Sequence, residues 1–233
     1  GGGATHDAIV WGTGEEGRQN KLAQRPKNPR KITSELGAVC PTIVVPGPWS
    51  RSDIAFQAEN IATQKLHNSG FNCVACQTLI LPKTWSKTEE LLNQIERVMS
   101  CAGQREAYYP GSEQRTSEFA RHSRRYRRLE RGPNAPVCIM TDMDQSDEIW
   151  LANNEVFGPA LATKFLESDD PAVYLERAIE FANNELYGTL GANIVIHPKT
   201  IQQIGVKRFE SLLLRLRYGT IAINAWTGLG FLL

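Results

Sequence analysis

The sequence contains no apolar run that approaches the length of a membrane span, and its start, GGGATHDAIVW, lacks the charged region and long apolar core of a secretory signal. Net charge is also small, because 26 lysines and arginines are balanced by 25 acidic residues and leave only +1. We therefore expect a cytoplasmic protein that does not enter a membrane. A general electrostatic attraction to nucleic acid is not expected either.

Paired metal ligands are lacking as well. Cys73 and Cys76 form one C-x-x-C pair, but neither the other three cysteines nor the four histidines supply a second pair at similar spacing. We therefore predict no metal site. Five cysteines are an odd number, and a chain of 233 residues is large enough to fold without covalent staples, so we expect thiols rather than disulfides.

Strand-like and helix-like segments alternate along the chain. The apolar, β-branched runs are CPTIVV, TLILP, VCIMTDM, ALATKF, ANIVIH and GTIAIN. Helical patterns of ten or more residues lie between them, starting at capping boxes predicted for Ser50 with Asp53 and for Ser86 with Glu89. The last of these helices is predicted to run unbroken from Lys199 to Arg217. This alternation predicts an α/β fold, a mostly parallel sheet with helices on both faces.

The Cys73 and Cys76 pair does not fit a redox couple of the thioredoxin type. Such a couple places its first cysteine at a helix N-terminus after a strand, whereas here a helix-like run precedes Cys73 and a strand follows. A buried structural thiol and a nucleophile remain as interpretations. Asn68, Gly70 and Asn72 favour the nucleophile, because such a loop exposes backbone amides that can hold an oxyanion.

A nucleophile of this kind needs a base, and Glu35 in TSELG is the candidate. From residue type alone a glutamate is more often solvated at the surface. The following Gly37 permits close backbone approach, which allows this segment to lie against a ligand. A thiolate, an aldehyde and a carboxylate that activates water would together form and then hydrolyse a thioester.

Five motifs in order resemble those of the NAD(P)-dependent aldehyde dehydrogenase superfamily: ITSELGAVCPTIVV, NSGFNCVACQTLIL, NNEVFGPALATKFLES, NNELYGTLGANIVI and GTIAIN. They extend from Lys31 to Asn224. The resemblance implies that Cys73 is the nucleophile, with Cys76 a spectator, and that Glu35 is the general base. It also implies that Glu155 holds the nicotinamide ribose hydroxyls of NAD or NADP and that Phe157 limits the nicotinamide position.

The same resemblance implies a domain organisation. Residues 1–34 would be the tail end of a dinucleotide-binding domain, in which Gly2 and Gly3 match the glycine turn that opens a helix and, with Gly37, join the cofactor-binding positions. A second register places that turn at WGTGEEGR, with ordinary spacing to Glu35 but poorer residue agreement, and we prefer the first. Residues 35–224 would be an aldehyde-dehydrogenase-like catalytic domain, and 225–233 the start of a truncated return segment. We expect an internal piece of a longer, homo-oligomeric enzyme that cannot complete a catalytic cycle by itself.

The implied reaction is oxidation of an aldehyde to a carboxylic acid through a thiohemiacetal and a thioester. One alternative is a coenzyme-A-acylating relative, against which the retained Glu35 argues. Another is a catalytically silent piece whose basic surface at 115–131 binds a partner. Nucleic acid is disfavoured as that partner, because Glu118 and Glu130 interrupt the seven arginines and charge runs are usually solvated faces.

Overall fold

The structure, a computed structural model, describes residues 1–103 and 105–231. Two compact units, Gly1–Gly37 and Ala38–Leu233, divide the chain. The predicted functional boundaries at 34/35 and 224/225 stay predictions. Leu232 and Leu233, the end of the expected return segment, lie outside the described residues.

The first unit contains two helices, α1 (Gly3–Val10) and α2 (Gly14–Leu22). Helix α2 lies close to the link that precedes it: a Cβ on Gly17 would lie 2.1 Å from the carbonyl oxygen of Gly12, so this contact requires a glycine. The ends of the unit are also joined. The Gly37 amide donates to the Gly1 carbonyl oxygen at 2.9 Å, and the N-terminal amine donates to the Glu35 carbonyl oxygen at 2.7 Å.

The second unit is built on a seven-stranded sheet with the order β3-β4-β5-β2-β1-β6-β7. All neighbouring strands are parallel except β3 and β4, which are antiparallel. The predicted mostly parallel sheet is thus confirmed. The strands are β1 (Cys40–Val44), β2 (Cys76–Pro82), β3 (Tyr126–Leu129), β4 (Cys138–Asp142), β5 (Ala160–Leu166), β6 (Gly191–Val195) and β7 (Thr220–Ile223).

Helices cover both faces of this sheet, as predicted. Along β2, Leu79 and Leu81 point into the core beneath α3 and α4, whereas Ile80 points into the core on the opposite face. No helix among the described residues has the length and apolar character needed to cross a bilayer. The helices of this unit are α3 (Arg51–Leu66), α4 (Thr88–Cys101), α5 (Ser112–Arg121), α6 (Glu148–Asn153), α7 (Pro171–Asn184), α8 (Pro198–Ile204) and α9 (Val206–Leu213).

One of the two predicted capping boxes is confirmed and the other is wrong. The Ser50 side chain accepts from the Asp53 amide at 3.2 Å, and the Asp53 carboxylate accepts from the Ser50 amide at 2.8 Å. Helix α4 instead begins after Lys87, without a side-chain cap. Its first residue, Thr88, donates its hydroxyl to the Pro82 carbonyl oxygen at 2.5 Å, which fastens the helix start to the end of β2.

The single long helix predicted from Lys199 to Arg217 is also wrong. Gly205 has a φ of 88°, which interrupts the helical backbone and separates α8 from α9. Both helices still bury apolar side chains on the same side of the sheet, including Ile204 and Phe209. The apolar period therefore continues across a break that only the glycine conformation marks.

The Arg-rich segment 115–131 forms most of α5 and the edge strand β3, and the strand was not predicted from sequence. Its cations have different partners. Arg121 forms an ion pair with Glu118, and Arg127 forms one with Glu96 on α4. Two of the seven arginines are therefore occupied by carboxylates of the same unit, which reduces the charge available to an external partner.

Candidate functional site

Cys73 lies on the turn that leads into β2. The Ala75 amide donates to the Asn72 carbonyl oxygen at 3.0 Å and closes this turn, and Cys73 is partly exposed. Cys76 is the first residue of β2, fully buried and in register with Cys40 of β1. The two cysteines of the C-x-x-C pair thus lie in different surroundings, and the described residues contain no group of His, Cys, Asp and Glu that could hold a metal ion.

The turn is preceded by three residues in the left-handed region. Asn68, Ser69 and Gly70 have φ values of 54°, 56° and 83°. Gly70 is required by space as well as by conformation, because a Cβ there would lie 2.5 Å from the Gly158 carbonyl oxygen. Strained backbone of this kind persists where surrounding contacts determine it, and such places are often functional.

The asparagines beside Cys73 hold the turn through their side chains. Asn68 donates to the Phe71 carbonyl oxygen at 3.1 Å and to the Tyr108 hydroxyl at 2.8 Å. Asn72 donates to the His67 carbonyl oxygen at 2.6 Å. Their amide groups are therefore engaged in fixing the backbone, and an oxyanion role for the neighbouring backbone amides stays a prediction.

The segment that carries Glu155 and Phe157 lies beside this turn. Gln77 on β2, only 3% exposed, clamps it with two hydrogen bonds: its Nε2 donates to the Asn154 carbonyl oxygen at 2.7 Å, and its Oε1 accepts from the Val156 amide at 2.8 Å. Glu155, between those two contacts, is thus held by the strand that begins three residues after Cys73.

Phe157 belongs to an aromatic cluster on the same side. Its backbone has a φ of 48°, and its ring centroid lies 4.8 Å from that of Tyr109 and 6.1 Å from that of Phe71. Phe71 precedes Cys73 by two residues. The aromatic contact and the approach of Gly70 to Gly158 bring the Cys73 turn and the Glu155–Phe157 segment together in one site.

Two cations hold the backbone of this segment, and sequence reasoning missed both. Arg115 donates its Nε to the Val156 carbonyl oxygen at 2.7 Å, and Lys65 donates its Nζ to the Gly158 carbonyl oxygen at 3.1 Å. Lys65 is only 1% exposed, and burial lowers the pKa of its ammonium. No sequence pattern singles out Lys65, because lysine is almost always exposed.

The site contains one carboxyl group that titrates near neutrality. Burial raises the pKa of Glu155 to about 7, and the charge of Lys65 and the Ala38 amide act in the opposite direction. Glu155 thus exchanges a proton in the neutral range.

The thiols of the neighbouring strands do not exchange a proton in the neutral range. Burial raises the pKa of Cys40 to about 12 and that of Cys138 to about 11, and it also raises the pKa of Cys76. These three groups remain neutral thiols at physiological pH.

The other predicted site residues lie in the first unit. Glu35 is exposed there, Gly2 precedes α1, Gly3 begins it, and Gly37 ends the unit. The second unit brings Cys73 together with the Glu155–Phe157 segment. The base role of Glu35 and the cofactor contacts of the three glycines stay predictions.

Comparisons with known proteins find relatives of this chain, although no family model matches it. The chain is 30% identical over 186 residues to peroxisomal aminoaldehyde dehydrogenase 1 of Malus domestica, a match that covers 71% of this chain and 34% of that protein. The chain thus spans about a third of the length of this relative.

Two solved structures share the fold. NADP-dependent glyceraldehyde-3-phosphate dehydrogenase of Bacillus halodurans C-125, complexed with NADP, gives a TM-score of 0.64 at 21% identity over 82% of this chain and 39% of its own. NAD-dependent aldehyde dehydrogenase of Sinorhizobium meliloti gives 0.62 at 18% identity over 82% of this chain and 38% of its own. The sequence identity to the apple protein, together with this shared fold, shows that the chain belongs to the aldehyde dehydrogenase superfamily.

Proposed function

We propose that this chain supplies the nucleophile of an enzyme that oxidises an aldehyde to a carboxylic acid with NAD or NADP. The observation that carries the proposal is the position of Cys73. It is a partly exposed cysteine on a turn that follows three left-handed residues, beside a segment that carries the Glu155 carboxyl group and the partly exposed ring of Phe157. The three cysteines near it in the strands are buried.

The residues beside Cys73 fit the nicotinamide half of such a cofactor. Glu155 is a partly exposed carboxyl group fixed from below by Gln77, so its oxygens can accept hydrogen bonds from ribose hydroxyls. Phe157 offers a partly exposed ring that can lie against a planar nicotinamide. When bound, the nicotinamide would accept the hydride that leaves the substrate carbon.

The chemistry of the chain itself then has two parts. The Cys73 thiolate adds to the aldehyde carbonyl and forms a thiohemiacetal, and oxidation converts this adduct to a thioester on the same sulfur. Glu35 takes a proton from water as that water attacks the thioester, which releases the carboxylic acid and restores the thiolate. A cytoplasmic setting and a homo-oligomer belong to the same proposal.

The test is an assay of aldehyde-dependent nicotinamide reduction with a panel of aldehydes and both cofactors. It is made on the 233-residue chain and on any longer product that its gene encodes. We expect the wild-type protein to release the carboxylic acid. We expect Glu35→Gln to show a burst of reduced cofactor, followed by a steady-state turnover that is lower by about two orders of magnitude or more. Glu16→Gln, an exposed carboxylate of the same unit, is the control.

The outcome also decides between rival reactions. Formation of an acyl-coenzyme A, with no free acid, would replace the proposal by the acylating reaction. No reduction with any aldehyde by the longest gene product would favour the silent interpretation. Unchanged turnover of Glu35→Gln would remove the base role from Glu35 and leave the role of Cys73 intact.

A further inference from the structure

A groove of about 590 Å³ lies between α3 and α4, on the helical layer that covers one face of the sheet. Its walls are largely apolar. The apolar lining comes from both helices and from the chain just after α4: Ala55, Ala62, Leu66, Val98 and Ala102. A cavity of this volume with an apolar wall is of the size that small organic molecules occupy.

Arg131 lines this groove in an unusual electrostatic setting. It is 5% exposed, and one guanidinium nitrogen donates to the Pro136 carbonyl oxygen at 2.9 Å. Its Nε is buried and has no hydrogen-bond partner within the described parts of the chain. A buried cation without a counter-charge is costly, and an anion with two acceptor oxygens would offset that cost.

A second cation lines the same groove. Arg97 on α4 is exposed, and its guanidinium makes no ion pair or hydrogen bond with any described residue. Glu59 on α3 also lines the groove and is exposed, but it pairs with neither arginine. Arg97 and Arg131 therefore both line the groove without a carboxylate partner among the described residues, and guanidinium binds carboxylates through a planar fork.

We propose that this groove binds a small organic carboxylate with an apolar body. The carboxylate contacts Arg131 and Arg97, and the apolar body lies along the facing walls of α3 and α4. An inorganic anion would satisfy the charges and leave the apolar wall exposed to water, whereas an uncharged molecule would leave the buried guanidinium without a counter-charge.

The groove also reaches the site of Cys73. His67 lines the groove. The His67 carbonyl oxygen accepts a hydrogen bond from the Asn72 side chain, and the His67 ring centroid lies 5.1 Å from that of Trp226. Asn72 immediately precedes Cys73. A bound carboxylate would thus contact a residue that holds the turn of the nucleophile.

Cys101 provides a reporter for the test, because it is exposed and lines the groove at the end of α4. Octanoate is the probe, and the protein is used as isolated, with every segment that its gene encodes. Calorimetry measures the affinity, and peptide mapping after brief treatment with iodoacetamide measures how much octanoate slows alkylation of Cys101. We expect saturable binding and protection of Cys101.

Variants then locate the contact. Arg131→Met and Arg97→Met should each weaken octanoate binding by about tenfold or more, since each removes charge-assisted hydrogen bonds. Arg124→Met is the control, because Arg124 is an exposed arginine outside the groove. If Arg131→Met does not fold, Arg97→Met alone decides, since the Arg97 side chain is exposed and makes no hydrogen bond or ion pair with a described residue.

Four results would overturn the proposal. They are no binding or protection with millimolar octanoate, equal binding to the wild-type protein and Arg97→Met, octanol binding as tightly as octanoate, and inorganic phosphate binding as tightly as octanoate. The third result would show that the groove does not recognise the charge of the carboxylate, and the fourth would show that the apolar wall does not contribute to binding.

Discussion

The turn that carries Cys73 and the strand that begins at Cys76 differ sharply, although only two residues separate the cysteines. The turn is strained, partly exposed and fixed by side-chain hydrogen bonds to backbone carbonyls. The strand is buried along its whole length, and burial raises the pKa of its one thiol, Cys76. The difference shows that neighbouring cysteines can differ completely in accessibility, because the point at which the strand begins decides which side chain is buried.

The largest expected effect is on turnover, and it compares substitution of Cys73 with substitution of Cys76. Cys73→Ala should lower aldehyde-dependent turnover by about four orders of magnitude or more, because no other group on the turn can form the thioester. Cys76→Ala should keep turnover within about threefold, since it changes only the packing of a small buried side chain. Steady-state rates of both variants, with circular dichroism to check folding, provide the measurement. Equal losses would mean that Cys73 is not distinct from Cys76.

Alkylation compares the same thiols without substitution. We expect iodoacetamide to modify Cys73 first and the exposed Cys101 next. The buried thiols should react at least about a hundredfold more slowly, because they are closed to reagent and their raised pKa values keep them protonated. Timed quenching followed by peptide mapping gives each rate. Early labelling of Cys76 or Cys40 would contradict the assignment of the nucleophile.

The residues of the turn were predictable because chemistry and local sequence coincide there. Cys73 lies in a short motif with glycine and asparagine, and the Ser50 cap is equally local. The long-range contacts were not predictable. Lys65 is buried and donates to the carbonyl oxygen of Gly158, 93 residues further along the chain. The helix break at Gly205 preserves the apolar period that suggested one helix.

The fold class shows the same division. Alternating apolar and amphipathic segments were sufficient to predict a mostly parallel sheet with two helical layers. The strand β3 was missed because its sequence, YRRL, belongs to an edge strand with one buried residue, and three exposed side chains leave almost no apolar pattern to detect.

A smaller effect is expected from Gly70→Ala, which tests whether the strain of the turn is structural. The new Cβ would meet the Gly158 carbonyl oxygen at 2.5 Å, and the residue would have to keep a φ of 83°. We expect a loss of about 2 kcal/mol or more in the free energy of unfolding. Denaturant titration measures it, and Gly103→Ala is the matched control, because no atom of the described residues lies within 4 Å of a Cβ there. Equal stability of both variants would show that the turn can relax.

The smallest expected effect concerns Glu155. Its carboxyl group titrates near neutrality, whereas the buried thiols stay protonated there. Its pKa in the folded protein, about 7, is above the ordinary 4.5, so the folded state favours the protonated form. Its contribution to stability is therefore complete below about pH 4.5 and is lost as the pH rises through 7.

Cofactor binding should follow the opposite trend, because the ionised carboxylate of Glu155 is the stronger acceptor for ribose hydroxyls. We expect affinity for NAD or NADP to increase by up to about tenfold between pH 6 and pH 8. Glu155→Gln should bind more weakly and without this pH dependence, while the exposed Glu185→Gln should retain it. Fluorescence titration with the reduced cofactor measures both, and an unchanged pH dependence in Glu155→Gln would assign the titration to another group.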